Sequence, residues 1–321
     1  MINNNTLIEP TQFKLEQVSL VTKGGVIGLI DQVEEINIYD NLFLPVMSGQ
    51  ILIRDAAKLI ERLAIEKDVL HLHIRKVIGN DFMSFEKSFV IYSVSDRKNM
   101  NSTSEAYILN FVSSELLFSL QHKMSISYKG IYSDLVSKIL TNNLKVPSSK
   151  QSIIEKTQGL VKVTIPNITP ISAIEWCSKR SLSSKGIPEL LFFSNRAGYN
   201  FISLSNLMSK DTILKINFSP KNLDPDESVS ELGKARGFEV IAQGDAITRI
   251  STGVDSGTFF GFDPITRSFG AAPIDGTKAY KQGTHGNRNP DDVTQVNPDG
   301  TTSQTTTNSK QVLKMSVDKR K

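Results

Sequence analysis

Residues 33–63 read VEEINIYDNLFLPVMSGQILIRDAAKLIERL, and this stretch decides the fold. Its first part, EEINIYD, alternates apolar and polar residues with the two-residue period of a half-buried strand. Ser48-Gly49 then opens a second apolar run, QILIR, which stops at Asp55. A carboxylate just ahead of AAKLIERL can accept the free N–H groups of a helix start. Leu59, Ile60 and Leu63 would share that helix's buried face. Strand, turn, strand, capped helix: the segment builds β-structure with a helix set into it.

The flanking sequence extends the pattern. Residues 14–21 alternate in the same way, and Gly24, Gly25 and Gly28 break the alternation with a turn before 32–39. Further strands are expected at 69–76, 85–95 and 104–112, completing a small antiparallel barrel or sandwich with one inserted helix. The middle of the chain is mixed. IYSDLVSKILTNNL, 131–144, lays Ile131, Leu135, Val136, Ile139 and Leu140 on one broad stripe and ends in asparagines, as an amphipathic helix does. Thr169-Pro170 supplies an N-cap and a first-turn proline for a helix expected over 171–182. LLFFS, then Asn195-Arg196-Ala197-Gly198, then YNFISL reads as a hairpin, with Gly198 taking the backbone conformation that other residues avoid. One more strand is expected at 213–218. From 270 to 309 large apolar side chains are sparse, so an extended, protease-accessible loop is expected there. QVLKMSV, 311–317, resumes strand-like alternation near the end of the sequence, where a partner outside the chain would be expected.

There is one internal echo. SGQILIRD (48–55) and SGTFFGFD (256–263) share Ser-Gly at the start and Asp at the end at the same spacing. Each follows an apolar-polar segment, so the sequence suggests a duplicated β-unit. On that reading, Gly49 and Gly257 would sit where a neighbouring subunit's backbone approaches.

A chain of 321 residues is long enough for two or three domains. Its 39% hydrophobic and 22% charged residues suit packed cores and exclude a helical membrane protein. The opening MINNNT has neither a basic nor an apolar signal region. Net charge is only +4, with basic and acidic residues interspersed, which is not the basic stripe of a nucleic-acid-binding protein. Lys319, Arg320 and Lys321 end the sequence as a solvated basic cluster. Cys177 is the single cysteine, so no intrachain disulfide forms; beside Trp176 it reads as a small buried hydrophobe.

No catalytic constellation stands out. His71 and His73 fall on one face of a strand, yet no third ligand accompanies them, and His122 and His285 lie elsewhere. The pairs Asp81/Glu86 and Glu61/Glu66 have the density of any soluble surface. The sequence has no nucleotide-binding glycine loop and no nucleophile elbow, and Gly24-Gly25 lacks the continuation a phosphate loop needs. The expectation is a protein without catalytic, cofactor or metal residues.

Two segments carry a resemblance. Residues 33–63 resemble the N-terminal tube-domain signature of the baseplate hub of contractile-tailed, T-even-like bacteriophages. Residues 165–208, IPNITPISAIEWCSKRSLSSKGIPELLFFSNRAGYNFISLSNLM, are similar to that family's middle domain, in the order proline-led helix, LLFF strand, glycine turn, YNFISL strand. GFDPITRSF, 261–269, aligns with the entry into the family's second tube domain. The resemblance spans about 15–270.

It implies a mainly β, α+β chain: a first tube-like barrel with an inserted helix over 1–125, a mixed α/β middle domain over 126–212, the start of a second tube-like β-domain over 213–269, and a loop-rich segment over 270–321. After Asp263 too little strand-forming sequence remains to complete a second barrel alone. The function implied is a homotrimeric adaptor. Its paired units would present a pseudo-sixfold ring, with a hexameric tail tube or tube initiator on one side and a trimeric spike on the other. Tape-measure protein and, in transit, DNA would occupy the lumen. The place implied is the tail baseplate of a virion assembled in a bacterial cytoplasm. A spike-type protein of a related injection machine is the alternative; it would continue into an oligosaccharide-binding fold and a β-helix. A tail-associated peptidoglycan hydrolase would need a catalytic glutamate for which no candidate stands out.

Overall fold

The computed structural model describes residues 13–22, 24–62, 68–78, 81–101, 104–212, 217–218, 234–235, 237, 239, 247–248, 256–264, 267–275, 294–296, 298–300, 302–304 and 310–315. The chain divides into two units, one made of 1–203 with 214–234 and the other of 204–213 with 235–321.

In the first unit the segment 33–63 folds as its pattern dictates. Strands β1 (Phe13–Thr22), β2 (Gly25–Gly28), β3 (Val33–Tyr39), β4 (Ser48–Asp55), β5 (Val69–Ile78), β6 (Asp81–Asn99) and β7 (Glu105–Ser113) form one sheet in the order β2-β1-β5-β6-β7-β4-β3. Every neighbouring pair is antiparallel. The glycines after β1 do more than turn the chain: Gly25–Gly28 is itself a strand, paired back on residues 19–22. Register shifts in β1, β3 and β6 mark bulges, which raise local twist and bend the sheet.

Alternation separates the two faces. Ile51, Ile53, Leu70, Leu72, Phe89, Ile91, Leu109 and Phe111 turn inward into one buried cluster, where the Phe89 and Phe111 rings lie 4.7 Å apart. Each such side chain stabilises by about 2 kcal/mol through burial. Polar residues between them form a hydrogen-bonded chain across four strands. Tyr39 donates to Gln50 Oε1 at 3.2 Å, Gln50 to Asn110 Oδ1 at 3.1 Å, and Asn110 to Ser95 Oγ at 3.0 Å. Such a chain pins the register, because a one-residue slip would send every member to the wrong face.

Asp55 ends β4 and caps the next helix. Its carboxylate accepts from the backbone N–H of Ala57 at 2.9 Å and of Ile60 at 3.2 Å, and helix α1 (Leu59–Arg62) starts there. Leu63, expected on the same face, lies outside the described residues.

The mixed part of this unit contains α2 (Ser114–Leu120), β8 (Ser127–Gly130), α3 (Tyr132–Lys138), β9 (Gln151–Ile154), β10 (Val161–Thr164), α4 (Pro170–Ser178), β11 (Leu190–Asn195) and β12 (Gly198–Ser203). The amphipathic stripe over 131–144 splits: α3 passes into a π turn, Ile139–Asn143, where the asparagines replace apolar residues and the helix loosens. Thr169 caps α4 by accepting from Ser172 N–H, with Pro170 at the first helical position. α4 is shorter than the stretch 171–182 expected from the sequence, because Arg180 N–H turns back onto the Cys177 carbonyl at 3.0 Å. β11 and β12 form the expected hairpin, whose turn is held by Asn195 Oδ1 accepting from Ala197 and Gly198. β9 adds to β12 in parallel. Tyr132, Leu135, Val136, Ile139, Ile174, Cys177, Phe192 and Phe201 are the centre of a second buried cluster.

In the other unit α5 (Leu204–Met208) is the first element. β13 (Asn217–Phe218), which belongs to the first unit, pairs with β14 (Lys234–Ala235), where the first unit gives way to the other; of the strand expected at 213–218 only β13 falls within the described residues. A three-stranded sheet orders β16 (Ser268–Asp275), β15 (Ser256–Asp263) and β19 (Lys310–Met315) side by side, while β17 (Thr294–Val296) pairs with β18 (Thr302–Gln304).

The loop expected over 270–309 therefore begins inside β16 and contains a small hairpin; residues 276–293 and 305–309 lie outside the described ones. β19 finds a partner inside its own chain, running parallel to β15. The repeated segments both become eight-residue strands with the bounds the echo suggested, Ser48–Asp55 and Ser256–Asp263. Their neighbours differ. β4 is flanked by two antiparallel strands, β15 by one antiparallel and one parallel strand. Asp55 leads into a helix, whereas Asp263 enters the turn to β16.

Candidate assembly surface

Sheet edges are where a β-protein either meets partners or protects itself from them. Among the described residues the large sheet ends at β2 and β3, and the small sheet at β16 and β19. β2 is short and glycine-bounded, and β16 contains Pro273, so both carry features that discourage pairing. β3 carries a bulge and β19 two lysines, which blunt an edge in other ways. β3 presents Glu34 and Glu35 to solvent. β19, KQVLKM, carries Lys310 and Lys314.

Beside β3 lies an apolar hollow of about 900 Å³, lined by Leu15, Ile36, Ile38, Met47, Ile74 and Phe85 among others. β1 and β3 sit near opposite ends of the strand order yet share this lining, so the sheet curls into a half-barrel with an open mouth. Carboxylates of Glu34, Glu35 and Asp40 stand on its wall, with Arg196 from the β11–β12 turn. Burial raises the Asp40 pKa, opposed by the charges of Lys87 and Arg196. Burial also lowers that of Lys87, whose Nζ lies 3.4 Å from the Met47 sulfur.

The turn after β3 exposes three consecutive apolar residues, Leu42, Phe43 and Leu44, Phe43 to 75%. It is nonetheless ordered: Asn41 Oδ1 accepts from Phe43 N–H at 2.8 Å and the Asn41 carbonyl from Leu44 N–H at 3.2 Å. An ordered, exposed apolar tip of this kind is a candidate contact for a partner. Composition hides this feature, because so short a run barely changes any average.

The remaining sequence candidates stay apart. His71 Nδ1 lies 2.6 Å from Ser88 Oγ and His73 Nε2 2.9 Å from Ser84 Oγ, so both rings are tied to β6 hydroxyls. His122 rests on the Phe118 carbonyl at 3.1 Å. His285, Glu66 and the side chains of Glu61 and Asp81 lie outside the described residues. Among the described residues no three His, Cys, Asp or Glu side chains gather as a metal site, and no helix is long and apolar enough to cross a membrane. Gly24 lies in the β1–β2 turn and Gly25 opens β2. Gly49 is buried against its own chain: a Cβ there would run into the Asn37 carbonyl oxygen and the Phe111 ring. Its own sheet therefore requires glycine at this position.

Cys177 is fully buried in α4, and burial pushes its thiol from 9.0 up to about 12. Thiol reagents at pH 8 should leave it unmodified in the native protein and label it fully in denaturant; rapid native labelling would contradict this. Because burial favours the neutral thiol, its contribution to stability is complete below about pH 9 and declines as pH rises toward 12.

No protein-family model matches the chain, and no curated protein matches it. Solved structures do. A tail protein from Neisseria meningitidis MC58 is 12% identical at a TM-score of 0.44, with 80% of this chain and 67% of that one covered. The prophage tail protein gp18 of Listeria monocytogenes is 12% identical at 0.42, covering 84% and 70%. An Escherichia coli type VI secretion component, described as similar to the T4 tail proteins gp27 and gp5, is 9% identical at 0.39, covering 64% and 52%. The similar structures are described as tail proteins and as a type VI secretion component. This chain spans about half the length of the Escherichia coli protein.

Proposed function

We propose that this chain is a structural subunit of a contractile phage tail baseplate. In this reading it is a trimeric hub that joins a hexameric tube to a trimeric spike and lines part of the ejection channel. The observation that carries the proposal is the presence, in one chain, of two units that each contain a β-sheet. Two units per chain in three chains give six β-units around an axis, which is what an adaptor between sixfold and threefold partners needs. The sequence resemblance over 33–63 and 165–208 supports the same assignment. So does the exposed Leu42–Phe43–Leu44 tip, which suits a subunit that lives in an assembly. The domain division expected from the sequence, with barrel, mixed middle and second β-unit, belongs to this proposal, as do the tape-measure protein in the lumen and the position in the virion. A structural role requires no catalytic residue. Purified chain should therefore leave peptidoglycan intact, and clearing abolished by replacing one carboxylate would contradict the reading. Its mass in solution, by light scattering across a concentration series, should approach three copies; a persistent monomer at high concentration would count against it.

A further inference from the structure

We propose that the outward face of the β8–β10 ribbon is a docking surface for an acidic protein segment that carries an apolar residue between its carboxylates. The surface belongs to the first unit alone and does not depend on how copies assemble. The part of the chain that builds it is charged differently from the rest. Residues 114–203 hold eleven Lys and Arg against five Asp and Glu, a net +6, whereas the whole chain carries only +4. β8 and β10 pair antiparallel, with Lys129 directly opposite Lys162 and Ser127 opposite Thr164. Alternation sends these four side chains to one face, and all four residues are exposed. Val161, next in β10, is buried, so Leu160 just before it returns to the lysine side and stands 82% exposed. Opposed residues of an antiparallel pair have Cβ atoms about 5 Å apart, and like charges at that spacing destabilise the pair. Neither lysine forms a salt bridge among the described residues. Lys138 is engaged on the other face, where it lies over the Tyr128 ring at 5.1 Å. Lysines on a short ribbon also deter unwanted strand pairing, but an exposed leucine in the same row works against that role. A basic row with a leucine in it calls for carboxylates on either side of an apolar side chain. A nucleic-acid backbone would meet the lysines yet leave Leu160 nothing to pack against, whereas a protein segment supplies both contacts.

The probe is a capped synthetic peptide, two leucines flanked on each side by three glutamates, titrated into the full chain and followed by fluorescence anisotropy. It should bind, and Lys129→Gln/Lys162→Gln should weaken binding by about tenfold or more. Leu160→Ser should weaken it about threefold, as should a peptide with serines in place of the leucines. Raising salt from about 50 to about 500 mM should weaken binding to the native chain far more than to the double-lysine variant. The melting temperature gives a readout that a structural role would move the other way. Removing one of two facing positive charges relieves repulsion, so Lys162→Gln should keep the melting temperature or raise it. A fall would mean that the lysines serve the fold, and would overturn the proposal. Peptide binding unchanged in the double-lysine variant, or no binding at all, would overturn it as well. Single-stranded oligothymidylate of equal charge that binds more tightly than the peptide, and is lost with the same two lysines, would make this face a nucleic-acid surface instead.

Discussion

Gly49→Val should destabilise the first unit by about 3 kcal/mol, at the upper end of what overpacking a filled core costs. The reason is local. A Cβ at this position comes within 3.0 Å of both the Asn37 carbonyl oxygen and the Phe111 ring, and real Cβ atoms do not approach so closely. Asn37 lies on β3 and Phe111 on β7, the two neighbours of β4, so relief on one side presses the other. The Phe111 ring cannot swing away freely either, being packed against Phe89. Thermal or urea unfolding of the variant checks the size of the loss. Gly28→Ala, where a Cβ meets nothing within 4 Å, is the control and should change stability by no more than about 0.5 kcal/mol. A Gly49→Val protein that folds with native stability but fails to assemble would show that the residue serves a neighbour after all.

Asp55→Ala should cost a similar amount, about 3 kcal/mol, by two separable routes. Loss of the capping carboxylate leaves the N–H groups of Ala57 and Ile60 without their acceptor, worth about 1 kcal/mol. The same carboxylate accepts from the Tyr107 hydroxyl at 3.2 Å inside the sheet, and stranding that buried hydroxyl costs about 2 kcal/mol more. Burial first, and then the Asp55 charge, hold Tyr107 protonated well above the usual phenol range, so the hydroxyl remains a donor at any working pH. Asp55→Ala with Tyr107→Phe should recover part of the loss, because the second change removes the stranded group. Additive losses in that double-mutant cycle would contradict the shared role.

These two sites show what could be read from the sequence and what could not. Asp55 was legible as a cap because capping is local: a carboxylate, two residues and an amphipathic run. Its bond to Tyr107 was not, since the partner lies far along the chain and β7 reaches it only through sheet pairing. The constraint on Gly49 from Phe111 was not legible either, since that residue is equally distant in sequence. The hairpin around Asn195–Gly198 was legible in full, turn residues and both strands, because hairpins are made of neighbours. The parallel pairings of β9 with β12 and of β19 with β15 were not, because parallel strands need crossovers that leave no periodic trace. The strand bounds of 48–55 and 256–263 followed from the same Ser-Gly and Asp punctuation, yet punctuation fixes where a strand stops and not which strand lies beside it. The assembly surface was hidden for a related reason. An edge is defined by what a strand lacks, and only the strand order reveals it.

The central claim is that three copies of this chain place six β-units around one axis. Single-particle imaging of the assembled protein tests it most directly. The account predicts particles with threefold symmetry whose ring shows six β-units at two alternating kinds of position. A ring with true sixfold symmetry built from six copies, or a particle with no rotational symmetry at all, would contradict it.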